Sequence, residues 1–268
     1  FYMKFFDDTL KSIYNLFSKF INFLKIITSV QIIRKFEKFA ETIHNTALII
    51  SSVMILIIGL IMHTKTAVGW MLPLSIFGPI TILFISYLSN DFHKACSDLI
   101  TSNTTSLSND AILRLGGIIS LVISIILFLG AFASIFNGDL KIVIYLLLSS
   151  FLLFISAGTQ FNPSLLNIEI TKQSTSGEDF IAIFSLYLKS TVFFEKIIST
   201  ILIVLGNIYL ITTLITQESG VYGLGYFMTG ISFMLAGIAY PIIIYMIFTI
   251  LWFFNSLFLG ILSLARKK

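Results

Sequence analysis

The sequence predicts an all-α fold: a polytopic integral membrane protein of six transmembrane helices, arranged as three hairpins and preceded by an amphipathic N-terminal helix. Three observations predict it. Of the 268 residues, 57% are hydrophobic and only 11% charged, against about a quarter charged in soluble domains. The apolar stretches are long and continuous, as helices that cross a bilayer in about 20 residues require. A membrane barrel would instead alternate in segments of about ten residues. Short polar turns interrupt the apolar stretches at regular spacing.

Residues 1–44 read as a basic helical arm. Polar side chains at Lys4, Asp7, Lys11, Asn15, Lys19, Asn22 and Lys25 recur mostly in steps of three and four, with Phe5, Leu10, Tyr14, Phe17, Phe20 and Leu24 between them. That period gives a helix with an apolar face and a lysine-bearing face. Lys4, Lys11, Lys19 and Lys25 are the expected membrane-surface contacts. Such a helix lies on an anionic leaflet or packs its apolar face on the protein's own helices or a partner, and composition does not separate the two. The pattern continues through Arg34, Lys35, Lys38 and Glu41, after a bend near Thr28-Ser29. The chain opens Phe1-Tyr2-Met3 without the short apolar core and small-residue site of a cleavable signal. The expectation is that residue 1 lies inside a longer chain.

Residues 45–268 read as the transmembrane domain. The first two spans are about 45–62 and 67–88, joined by the polar turn His63-Thr64-Lys65-Thr66, with Trp70 at interface depth. Pro73 and Pro79 fall in the second span, which lipid tolerates where hydroxyls or neighbouring helices satisfy the freed carbonyls. Ser89–Asp110 reads as a polar connection. Spans 111–136 and 140–158 follow, joined by the tight turn Asn137-Gly138-Asp139. Thr159–Gly177 reads as the longest non-helical connection. Ser176 and Asp179 match a capping box that opens an interfacial helix over Glu178–Ser190 before the fifth span, about 192–216. The tripeptide pattern Ile49-Ile50-Ser51, Ile118-Ile119-Ser120 and Ile197-Ile198-Ser199 recurs near the start of spans one, three and five, as three similar hairpins would give.

The last stretch, Gly220–Leu262, has no charged side chain and is long enough for two crossings. The charge distribution decides for one. With six spans, fifteen of the 17 Lys and Arg residues fall on the side of the N-terminal arm, and only Lys65 and Lys141 on the other. By the positive-inside rule both termini then lie on the cytoplasmic or equivalent side. A seventh crossing would carry Arg266-Lys267-Lys268 outward. The sixth span is therefore about 221–245, bent at Pro241, with a helical extension to 262. The membrane expected is a bacterial inner membrane or an organelle inner membrane.

The span centres carry no Asp, Glu, Lys, Arg or His, which counts against a proton-coupled carrier or pump. His44, His63 and His93 lie near span ends without metal-site spacing and read as interfacial histidines. Cys96, the single cysteine, excludes an internal disulfide. No phosphate loop, nucleophile elbow or HExxH pattern is present. No catalytic residue, cofactor, metal or nucleic-acid partner is expected. Asn207 and Asn255 read as interhelical hydrogen-bond contacts. One pattern stands out: Gly223, Gly230 and Gly237 repeat every seven residues on one helix face, where small residues let helices approach closely. They read as a packing face, within the chain or toward a partner. The expected function is a non-enzymatic integral membrane scaffold subunit of a larger assembly, in contact with the bilayer and with other membrane subunits or copies of itself. The alternative is a pore or permease component conducting a neutral solute or ion.

Overall fold

The computed structural model describes residues 2–27, 29–66, 68–102, 104–136, 138, 140–171, 176–216 and 221–266. Among the described residues, seven α-helices and two three-residue strands follow in chain order: α1 (Tyr2–Ile27), α2 (Val30–Thr66), α3 (Met71–Ser102), β1 (Thr105–Leu107), α4 (Ala111–Phe136), α5 (Leu140–Phe161), β2 (Ile168–Ile170), α6 (Ser176–Thr216) and α7 (Val221–Arg266). The fold is all-α, with 92% of the described residues helical. Among the described residues, six helical stretches are long and apolar enough to cross a membrane: Tyr14–Lys65, Met71–Ser102, Ala111–Phe136, Ile142–Phe161, Gly177–Ile215 and Gly223–Ile261.

Several elements run further than the sequence reading placed them. The polar stretch after Leu88 is not a loop: α3 continues to Ser102. Residues 80–110 hold no glycine or proline to stop it. Its polar groups also sort by face, with Ser89, His93, Cys96 and Ile100 inward and Asp91, Lys94 and Asp98 outward. The segment Glu178–Ser190 is not a separate interfacial helix but the first half of α6, continuous through Thr216. The 30–44 part of the basic arm is the start of α2, which runs unbroken into the first apolar stretch. The bend near Ser29 is a helix end, where the Ser29 carbonyl accepts from Ile32 and Ile33. The 159–177 connection is shorter than expected. It holds a 3₁₀ turn at Pro163–Leu166 and the strand β2, with Asn167 left-handed at φ 52° between them.

Contacts group the chain into two units, 1–35 with 105–179, and 36–104 with 180–268. In the first, α4 and α5 pack along each other through a serine clasp. The Ser124 hydroxyl donates to the Ser150 carbonyl at 2.8 Å, and Ser150 returns the same bond to Ser124 at 2.8 Å. In lipid, where apolar burial drives nothing, such exchanged bonds and close packing hold helices together. Leu24 of α1 packs with Leu121, Ala157 and Phe161, while Tyr14, Phe17, Phe20 and Phe23 remain exposed. β1 and β2 pair in parallel, Thr105 opposite Ile168. The Asp179 carboxylate accepts from the Ser108 amide at 2.8 Å and from its hydroxyl. The side chain of Ser176, the other half of the expected capping box, lies outside the described residues.

The second unit is built from α2, α3, α6 and α7. Its interior from the α2–α3 and α6–α7 junctions inward is close-packed and apolar. Ile55, Ile58, Met62, Met71, Ile203, Leu210, Phe227, Met234 and Ile238 are each exposed by 3% or less. Small residues set the helix spacing. A Cβ at Gly59 would lie 2.6 Å from Ser75 Cβ, so α2 and α3 touch there. A Cβ at Gly230 would meet the Gly206 carbonyl at 3.0 Å, and one at Gly237 the Ser199 carbonyl at 2.9 Å, so α6 and α7 touch along that line. Pro241 lies inside α7 and, lacking an N–H, leaves the Gly237 carbonyl without its helical donor. The Ser199 hydroxyl supplies one from α6 at 2.7 Å. Pro73 sits in the first turn of α3, where its missing donor is no loss.

Candidate functional site

Four helices of the second unit bring polar groups to one level. His44 lies 22 residues before the end of α2 at Thr66, and His93 lies 22 after the start of α3 at Met71. Glu195 lies 21 before the end of α6 at Thr216, and Pro241 lies 20 after the start of α7 at Val221. At about 1.5 Å per residue these positions are roughly 30–33 Å from the junction end, about one hydrocarbon thickness. The site therefore sits where the apolar core stops.

Each side chain points inward because it continues its helix's buried stripe. On α2 that stripe is His44, Ala47, Leu48, Ser51, Ile55, Ile58 and Met62; on α3 it is Ser75, Ile82, Ser86, Ser89, His93 and Cys96. The spacings of three and four are those of one helix face. Glu195 and Ser199 continue the inner face of α6 in the same way.

His93 Nδ1 lies 2.9 Å from Glu195 Oε2, with side-chain exposures of 6% and 2%. At that distance the two side chains share one hydrogen bond. The His44 ring, 1% exposed, meets the His93 ring edge to face at a centroid distance of 5.0 Å. Five buried atoms here have no hydrogen-bond partner: both ring nitrogens of His44, Nε2 of His93, Oε1 of Glu195 and Oγ of Ser89. Buried polar atoms are hydrogen-bonded in roughly nine cases of ten, so this cluster sets the level apart from the apolar packing around it. Cys96 is buried beside it, its thiol 3.8 Å from the Pro241 carbonyl. Toward the far end, Lys196 pairs with Glu41 at 2.9 Å, half exposed to solvent, and the Thr200 hydroxyl bonds the Lys196 carbonyl at 2.8 Å.

A carboxylate and two imidazoles in a low-dielectric setting can hold and pass protons. Among the described residues, no group of three His, Cys, Asp or Glu side chains is arranged to hold a metal ion.

His44 and His93 are buried within the unit, each on the inward face of a helix that extends past its apolar segment. His63 is half buried at the opposite end, near the Val68 carbonyl at 3.3 Å. Asp91 and Asp98 are exposed and do not join His93. Glu195 was missed by the sequence reading, although a lone acid within Val192-Phe193-Phe194-Glu195-Lys196-Ile197-Ile198 was a visible irregularity. Asn207 bonds the Ala47 carbonyl at 3.0 Å and Ser51 Oγ at 3.1 Å; Asn255 donates to Ser185 Oγ at 2.8 Å. Lys189, which the sequence places in the interfacial helix Glu178–Ser190, is fully buried with its Nζ 5.8 Å from the Trp252 ring centroid. Gly223, Gly230 and Gly237 are all buried on α7. Lys11 and Lys19 are exposed and Lys25 is half buried, while the Lys4 side chain lies outside the described residues.

No family model, curated protein or solved structure matches the chain.

Proposed function

We propose that this chain is a non-enzymatic integral membrane scaffold subunit, six transmembrane helices in three hairpins, held within a larger membrane assembly. The observation that carries the reading is the length and surface of α7. Its 46 residues reach about 69 Å, twice the roughly 30 Å of hydrocarbon. Beyond Pro241 the helix still presents Phe253, Phe254, Leu257, Phe258 and Ile261 as exposed side chains. Aromatic surface of that extent, past one bilayer thickness, fits a helix covered by a neighbouring membrane subunit or a second copy. The packed apolar interior of the second unit supports the same reading, since it provides bulk and not a passage.

In this proposal α1 lies along the anionic leaflet, presenting Lys11 and Lys19 beside the exposed Tyr14, Phe17 and Phe20. Both termini lie on that cytoplasmic or equivalent side of a bacterial or organelle inner membrane. Site-specific photocrosslinkers at Phe254 and Phe258, activated in intact membranes, test the scaffold reading. A discrete protein adduct of constant mass supports it. Adducts to lipid alone, at both positions, refute it.

One observation favours the second reading, a pore or permease component. The buried His44–His93–Glu195 level is the kind of ionisable site that transport proteins carry. Solute flux in proteoliposomes that vanishes in a Glu195→Gln variant would decide for it.

A further inference from the structure

The outer face of α7 beyond Pro241 fits one kind of partner. Resting on the scaffold reading, we propose that this face is the contact between two copies of the chain. Their α7 helices would run side by side, parallel and in register, about a two-fold axis along the membrane normal.

The neighbouring helices of the second unit meet water at this height. Lys38 on α2 and Asp91, Lys94 and Asp98 on α3 are exposed. Lys38 lies 28 residues before the end of α2, and the three α3 residues lie 20, 23 and 27 after its start. Ile243 and Ile250 stand abreast of them, 22 and 29 residues after the start of α7. Hydrocarbon here would take four exposed charges out of water, which is costly. Yet α7 has no charged side chain from Val221 to Ala265. Its inward stripe is Pro241, Ile244, Phe248 and Asn255, the last bonded to Ser185 of α6. On the opposite side Ile243, Ile250 and Leu257 are exposed by 50%, 56% and 48%, and every residue from Ser256 to Ile261 is exposed. Apolar surface of this extent in contact with water marks a protein interface.

The form of the face selects a second copy. Ile243, Ile250 and Leu257 recur every seven residues, and Met246, Phe253 and Gly260 follow each of them by three. That is the seam along which two parallel helices stay in contact. The exposed hydroxyl residues Thr249 and Ser256, also seven apart, lie roughly 100° round the helix from it. A two-fold contact must be self-complementary, since each copy presents the same patch. An uncharged seam meets that condition, whereas a charged one would set like charges against each other. Insertion into one membrane gives every copy the same orientation, so their α7 helices can only be parallel, each residue facing its own counterpart. Ten large apolar side chains between Ile243 and Ile261 are exposed, each by roughly half. At roughly 200 Å² for a fully bare side chain they offer roughly 1,000 Å² per copy, where a standard interface takes about 800 Å² from each partner.

Single cysteines placed in the full chain in native membranes test this, with Cys96→Ala removing the native thiol. A disulfide between the same residue of two copies needs their Cα atoms within about 7 Å, which only positions near the axis reach. Mild oxidation is expected to give covalent dimers at Ile250→Cys and Leu257→Cys, at least tenfold more than at Thr249→Cys and Ser256→Cys. Equal yields at all four positions, or none at any, overturn the seam. Co-expression of two differently tagged wild-type chains needs no substitution. Both tags are expected in one purified complex, and each tag recovered without the other overturns the second copy as partner. The photocrosslinkers at Phe254 and Phe258 tell failure here from failure of the scaffold reading. An adduct of twice the chain's mass supports both. An adduct to a different protein keeps the scaffold and overturns the second copy, and adducts to lipid alone overturn both.

Discussion

Gly237→Ala adds a single methyl group where α6 and α7 touch. Its Cβ would lie 2.9 Å from the Ser199 carbonyl oxygen and 2.7 Å from Ile203 Cγ1. The first of these is a backbone atom, so rotating a side chain cannot make room. Overpacking of this kind costs about 1–3 kcal/mol. It also threatens the 2.7 Å bond from the Ser199 hydroxyl to the Gly237 carbonyl, whose net contribution is about 0.5–1.5 kcal/mol. The opposing term is the helix preference of alanine, about 0.5–1 kcal/mol. The sum is a destabilisation of about 1–3 kcal/mol. Gly225 on the same helix is the control, since nothing lies within 4 Å of its Cβ. Gly225→Ala should be neutral or stabilising by up to about 1 kcal/mol. The protein carries its own probe: Cys96, the single cysteine, is buried and reacts with a thiol dye only on opening. Denaturant titration of thiol reactivity should move the two variants in opposite directions. Equal midpoints for both would refute the close-approach argument.

Three further outcomes follow from the same contacts. Ser199→Ala should destabilise by about 0.5–1.5 kcal/mol, and the loss should shrink in a Pro241→Ala background, where residue 241 regains the N–H that bonds Gly237; additive effects in the double-mutant cycle would contradict this. Asn207→Leu should cost about 0.6–1.7 kcal/mol, the range for interhelical hydrogen bonds in lipid, measured by the same thiol titration. Ser124→Ala and Ser150→Ala should be non-additive, because the two hydroxyls also contact each other at 3.2 Å, and contacting side chains couple; hydrogen exchange along α4 and α5 reports it.

The helix content was legible because membrane helices announce themselves by long uncharged runs, and α7 is the plainest case. The ends of α3 and α6 were not. A hydropathy window averages the two faces of a helix, so the outward Asp91, Lys94 and Asp98 hid the inward Ser89, His93 and Cys96. The same averaging split α6 at Lys189, whose charge suggested solvent although the side chain is buried. The glycine spacing on α7 identified a face of close approach, but not its partners. Gly206 and Ser199 lie on another helix, where no local pattern connects them to Gly230 and Gly237. The His93–Glu195 pair was invisible for the same reason, being 102 residues apart in the chain. β1 and β2, three residues each, are too short to leave a periodic signal. Gly138, with φ 73°, is the turn glycine that its Asn-Gly-Asp setting announced.

Native mass spectrometry of the chain, released from its own membrane in intact nanodiscs without detergent exchange, tests the scaffold reading most directly. The account expects one dominant assembly of fixed stoichiometry, in which the chain is joined to other membrane subunits or to copies of itself. The chain recovered only as a single copy with bound lipid, at every expression level, would contradict it.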